Sequence, residues 1–128
     1  MKEGASDLVS KEVIEKVMND LEPIRKQPGG TGCNTAAGLA SFKAKVAIKG
    51  VVADDKMGQQ YINDMQKYGV DSFIEKINST EKTGVIIVII SPNGNRTMLA
   101  YPGVSQRVFF KRIDKDIIGN YKIVFSEG

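Results

Sequence analysis

Lys45-Val46-Ala47-Ile48-Lys49-Gly50-Val51-Val52 is followed by Asp54-Asp55, then by Met57 to Tyr68, Gly69 and Ser72 to Ile77. The first run is short and β-branched, as a strand requires. Two aspartates then stand where a helix start favours both a cap and a negative charge. Met57, Tyr61, Ile62, Met65 and Tyr68 recur on one face of the helix that follows. Gly69 is the expected C-terminal glycine, and Ser72 to Ile77 returns as a second strand. A strand, a helix and a strand in this order predict an α/β fold with a largely parallel sheet.

Outward from this unit the pattern continues in both directions. Met1 to Asp7 is polar and reads as a loop or frayed strand. Ser10 is placed to cap a helix with Val13, Ile14, Val17, Met18 and Leu21 as its inward stripe, and Pro23 ends it. A second helix, slim with Ala36, Ala37, Gly38 and Ala40, is predicted over about Cys33 to Phe42. Beyond Ile77, Val85 to Ile90 is six consecutive aliphatic residues, which predicts a strand covered on both faces. Pro92-Asn93-Gly94-Asn95 is a turn, and Arg96 to Tyr101 is the returning arm of a hairpin. Arg112 to Gly119 reads as a short helix and Lys122 to Phe125 as a last strand. The sequence stops at Ser126-Glu127-Gly128, where a ligand-binding loop would begin in such a fold, so the sheet is expected to be unfinished.

Composition narrows the function classes. The chain has 128 residues, 41% hydrophobic and 26% charged, enough for one domain with a core. The net charge is +3, but the 18 Lys and Arg are scattered, which argues against a nucleic-acid footprint. Without histidine there is no His-based triad, proton shuttle or common zinc site. Cys33 is the one cysteine, so no internal disulfide forms, in keeping with a cytoplasmic setting. Cys33 reads as a small packing residue rather than a reactive thiol. No apolar run is long enough to span a membrane.

The stretch most suited to a ligand is Gly29-Gly30-Thr31-Gly32-Cys33-Asn34. Its glycines let a ligand approach the backbone, and a helix start leaves N–H donors bare. It does not fit the phosphate-loop frame, and Thr35 stands where a dinucleotide fingerprint needs glycine or alanine. The Thr31 hydroxyl and the Asn34 amide suit a sugar or polyol hydroxyl. The alternative is a tight helix entry with Asn34 as a structural cap. Asp54 and Asp55 admit a metal or carboxylate-pair role, but capping is the simpler one.

Gly29-Gly30-x-x-x-Asn34-Thr35-Ala36-Ala37-x-Leu39-Ala40 resembles the first signature of the PfkB, or ribokinase-like, carbohydrate and nucleoside kinases. Gly50-Val51-Val52-Ala53-Asp54-Asp55-Lys56-Met57-Gly58 is similar to the family's Gly-x-Val-Gly-Asp-Asp-x-x-Gly. Thr83-Gly84, the Pro92 to Thr97 turn and Gly103 follow in the family's order. The wording of residues 34–40 is nearest the adenosine-kinase and sugar-kinase branch.

The resemblance implies a Rossmann-like domain with a small β-sheet lid that covers the sugar and often makes dimer contacts. By that resemblance Gly29, Gly30 and Asn34 contact substrate hydroxyls, and Glu127 matches an acidic residue that reaches the sugar in some members. It also implies that residues 1–128 are a single truncated ribokinase-like domain. The first strand, with its substrate-binding aspartate, would precede Met1. The Asp-Thr-x-Gly-Ala-Gly-Asp signature, which supplies the catalytic base and anion hole, is absent from these residues. Hence no catalytic residue and no cofactor is expected in this chain, although the parent family uses ATP and Mg. The expected partners are a sugar or nucleoside, and a second copy or complementing chain at the lid hairpin. Ala53 departs from the family's glycine, which predicts a different local bend.

Overall fold

The computed structural model describes residues 2–107 and 115–126. The elements run β1 (Ser6–Leu8), α1 (Lys11–Asp20), α2 (Thr31–Ser41), β2 (Ala47–Ala53), α3 (Lys56–Lys67), β3 (Asp71–Ile77), β4 (Val85–Ile90), β5 (Arg96–Tyr101), a 3-10 helix (Gly103–Arg107) and α4 (Lys115–Gly119).

The strand–helix–strand unit forms as its sequence predicts. β2 and β3 pair in parallel, from Ala47 with Asp71 to Ala53 with Ile77. They do not extend into one large parallel sheet. β4 and β5 close an antiparallel hairpin, and β1 adds to β5 in parallel, making a separate mixed sheet in the order β1-β5-β4. The tight turn explains this, because a short link can join only antiparallel neighbours. Gly94 supplies its positive φ of 84°.

The core lies where α2 and α3 meet the parallel pair. Cys33 and Ala36 of α2 pack on Met65 and Val70, with Val46, Ile48, Tyr61 and Ile74 around them. The small residues of α2 are what permit this close approach. Gly69 ends α3 at φ 78°, as expected, whereas α2 is followed by Lys43 at φ 66°, the one non-glycine with positive φ among the described residues. α1 buries Ile14 but leaves Val13, Met18 and Leu21 exposed, so its stripe is only partly covered.

One reading is settled and two expectations are corrected. Of the two readings of the first residues, loop or frayed strand, the strand holds and runs on to Leu8: Ser6–Leu8 pairs with β5, which offers it an open edge. β4 is covered on one face only: Val85, Ile87 and Ile89 are half-buried, while Ile86, Val88 and Ile90 are exposed. Continuous apolar sequence shows what a strand tolerates, not what covers it. Lys122 to Phe125 is not a strand. A strand needs a hydrogen-bonding neighbour, and no described strand pairs with it, so Ile123, Val124 and Phe125 lie exposed. The preceding residue is anchored, with the Tyr121 hydroxyl donating to Asp71 Oδ2 at 3.0 Å and Lys45 Nζ lying 5.3 Å from the ring centre. Of the expected helix Arg112 to Gly119, residues 112–114 lie outside the described residues and Lys115–Gly119 is helical.

The two sheets are joined at Asp55. Its Oδ1 accepts from the Gly58 N–H at 2.8 Å and from the Thr83 hydroxyl at 2.8 Å, and its Oδ2 accepts from the Thr83 N–H at 2.9 Å. Thr83 Oγ1 in turn accepts from the Ala53 N–H at 3.1 Å. A Cβ on Gly58 would stand 2.3 Å from the Ala53 carbonyl oxygen, so only glycine fits there. Ala53 itself is buried in β2 without positive φ, and replaces the family glycine without strain.

Burial pushes the Asp55 carboxyl up, but the hydrogen bonds from Thr83 and Gly58, with the charge of Lys82, outweigh it and hold Asp55 below its ordinary value. A depressed carboxyl pKa adds stability that is present above the unfolded value of about 3.9 and is lost as pH falls through the folded value. Asp55→Ala removes the α3 cap and leaves the Thr83 N–H without its acceptor. It is expected to cost about 2–4 kcal/mol in urea unfolding at pH 7. The wild-type midpoint is expected to drop between pH 5 and pH 3, and the Asp55→Asn midpoint to drop less steeply.

Candidate functional site

The N-terminus of α2 is built from its two preceding glycines. Gly30 occupies the cap position at φ 91° and ψ 153°, a conformation that side-chain-bearing residues rarely adopt, and no side chain caps the helix. The first backbone bond of the helix is Asn34 N–H to Gly30 C=O at 3.0 Å. The N–H groups of Thr31, Gly32 and Cys33 precede it, where a helix has no acceptor of its own.

Space is open above this end. Nothing lies within 4 Å of the place a Cβ would occupy on Gly29 or Gly30. Gly29 has neither positive φ nor a close neighbour. Thr31 and Asn34 are exposed, and among the described residues neither side chain makes a hydrogen bond. The alternative reading of Asn34 as a cap therefore has no support: its amide is one turn inside the helix and unoccupied. A free amide and free N–H donors facing open space are what a hydroxyl-rich ligand needs.

Gly29, Gly30 and Asn34 are thus brought to one helix end, as the sequence predicts. Glu127 lies outside the described residues. The two aspartates separate in role. Asp55 is the α3 cap, and Asp54 faces Lys76 in an exposed ion pair at 3.3 Å. Among the described residues no group of three acidic or sulfur ligands could hold a metal ion. No described helix is long and apolar enough to cross a membrane. Sequence reading placed Thr83 only within a motif and missed its role, since a lone threonine gives no sign of the carboxylate it meets 28 positions away.

Cys33 shares this helix end but faces inward. It is 3% exposed, and its thiol donates to Met65 Sδ at 3.3 Å. Burial raises its pKa, against a smaller lowering by Tyr61. Burial and the neighbouring Cys33 likewise raise the Tyr61 hydroxyl. Thiolate formation is disfavoured, so the thiol is a packing group. At pH 8 the folded protein is expected to react with a disulfide reagent about 100-fold more slowly than the urea-unfolded chain, because reaction waits on opening; comparable rates would mean an accessible thiol.

Comparison with known proteins places this geometry. The model of the pfkB family of carbohydrate kinases matches residues 5–128. A 5-dehydro-2-deoxygluconokinase of Clostridium perfringens is 31% identical over 118 residues, which is 90% of this chain and 35% of that protein. A probable fructokinase-5 of Arabidopsis thaliana is 29% identical over 100 residues, 77% of this chain and 31% of its own length. The crystal structure of adenosine kinase from Sinorhizobium meliloti superposes with a TM-score of 0.81 at 26% identity, covering 92% of this chain and 36% of that one. The chain therefore spans about a third of the length of the relatives it matches. With its glycine pair, Asn34 and hairpin in the family's order and its fold shared with an adenosine kinase, the chain belongs to the pfkB carbohydrate kinase family.

Proposed function

We propose that this chain is the acceptor-binding and lid portion of a sugar or nucleoside kinase, and that it binds the hydroxyl-bearing substrate without phosphorylating it. The observation that carries this is the α2 N-terminus, where Gly29 and Gly30 leave open space and the Asn34 amide has no partner. The relatives are named as a 5-dehydro-2-deoxygluconokinase, a probable fructokinase and an adenosine kinase, which supports a sugar or nucleoside as the acceptor class. Phosphoryl transfer works by positioning a nucleophile and stabilising charge. The sequence holds no Asp-Thr-x-Gly-Ala-Gly-Asp segment to supply the base and anion hole, so ATP and Mg chemistry belongs to the parent reaction.

Amide-resolved NMR titration with ribose, fructose and adenosine tests the reading. At least one is expected to shift Gly30 to Asn34, and Asn34→Ala is expected to weaken that binding about tenfold, the worth of one hydrogen bond to a neutral group. Coupled assays with ATP and Mg are expected to show no turnover. Binding that ignores Asn34, or phosphorylation by the 128-residue chain, would overturn it.

A second reading, a non-catalytic oligomerising module, is favoured by the open face of the mixed sheet. The register places Leu8 and Ile86 opposite Ala100, and Val88 opposite Met98, so Leu8, Ile86, Val88 and Met98 share one face, and all four are exposed. Such a row suits a second copy of the chain. Under this reading sedimentation velocity shows a dimer that Val88→Glu dissociates; a wild-type monomer at every concentration rules it out.

A further inference from the structure

A cleft of about 300 Å³ opens on the other side of the mixed sheet, and Gly29, Gly30 and Asn34 are not among its lining residues. It lies between α1, the start of α3 and the first residues of β4. Its walls are apolar: Ile14 and Met18 from α1, Met57 from α3, and Val85, whose register partner across the hairpin is Tyr101. Two methionines give walls that adapt to the shape of an occupant. The volume is at the lower end for small-molecule sites, which bury an apolar body and orient it with a few polar groups.

The polar groups at the mouth have one sign to spare. The lining holds Lys11, Lys56 and Lys82 against Glu15 and Asp55, an excess of one positive charge. Asp55 is consumed by its bonds to Thr83 and Gly58. Lys11 is shared between Glu15 at 3.8 Å and the Thr80 carbonyl at 3.3 Å. Lys56 and Lys82 form no ion pair among the described residues, although Lys82 lies in the field of Asp55. The Tyr101 hydroxyl accepts from the Lys82 N–H at 3.4 Å, and its own proton is not engaged with any described residue. Lys56, Lys82 and Tyr101, whose side-chain protons no described residue takes, therefore all line an apolar recess.

We infer that this cleft binds a small organic monoanion with a compact apolar body, an aryl or branched-alkyl carboxylate, its head between Lys56, Lys82 and Tyr101 and its body against Ile14, Met18, Met57 and Val85. The walls come from both the core elements and the mixed sheet, so an occupant bridges the junction that Asp55 and Thr83 hold. This site is separate from the α2 N-terminus and stands whether or not that end binds a sugar.

The methionines provide the test. In the 128-residue chain labelled at its methionine methyls, 4-phenylbutyrate is expected to shift Met18 and Met57 saturably. Met65, in the core, and Met98, on the open sheet face, should stay still. The uncharged analogue 4-phenylbutan-1-ol is expected to bind at least about tenfold more weakly, as loss of a charge-assisted contact predicts. The exposed double variant K56Q/K82Q, checked for an unchanged fold by its remaining methyl signals, is expected to bind acid and alcohol alike. Equal binding of the two by the wild type, shifts centred on Met98, or no shift at millimolar ligand would overturn the proposal.

Discussion

One carboxylate ties the two sheets of this protein at their junction. Asp55 caps α3 through Gly58 and ties down Thr83, and Thr83 takes the N–H of Ala53 at the end of β2. Every polar atom in this set is satisfied by another member, which is the condition for a buried polar junction to stabilise rather than cost. The set also fixes direction. The chain leaving β3 must pass beside the β2–α3 turn before it can begin β4, so the mixed sheet starts from one anchored point.

The crossing of segments at that point explains three glycines, of which only Gly103, at φ 52°, also has a backbone conformation that favours glycine. Gly58 faces the Ala53 carbonyl, Gly84 faces the Pro102 carbonyl with a virtual Cβ at 2.6 Å, and Gly103 faces the Lys82 carbonyl at 2.1 Å. The Val104 N–H bonds to the Lys82 carbonyl at 3.0 Å, so the strand entering the hairpin and the strand leaving it are stitched side by side. Side chains at these positions would push apart segments that hydrogen bonds draw together. Ala53 is tolerated because it ends β2 in extended backbone, where a methyl group needs no positive φ.

Local order was legible in the sequence because its causes are local. Asp55 before Met57, Gly69 after Tyr68, and Asn93-Gly94 between two apolar runs each act through their immediate neighbours. Coverage was not legible. The aliphatic run of β4 fits a buried strand and a half-open one equally well, and only what packs on the folded sheet decides that Val85, Ile87 and Ile89 turn inward while Ile86, Val88 and Ile90 do not. The same holds at Ile123 to Phe125, where β-propensity is strong and the hydrogen-bonding neighbour is lacking among the described residues. Pairing across 28 positions, as between Asp55 and Thr83, leaves no periodic trace at all.

The α2 N-terminus shows how far a motif can be taken on physical grounds. Its glycines admit a structural and a ligand-binding explanation, and the two differ in what they require. A structural glycine is forced by positive φ or by a neighbour in the way of a Cβ. Gly30 meets the first condition at φ 91°, and Gly29 meets neither. A structural asparagine spends its amide on the helix end, and Asn34 does not. Gly30 is thus accounted for by the fold, while Gly29 and Asn34 are left over. These two residues, at one helix end, are the ground on which we propose an acceptor site there. The resemblance to sugar and nucleoside kinases implies roles for Gly29, Gly30 and Asn34 at that same end, and it depends on spacing in sequence and not on geometry.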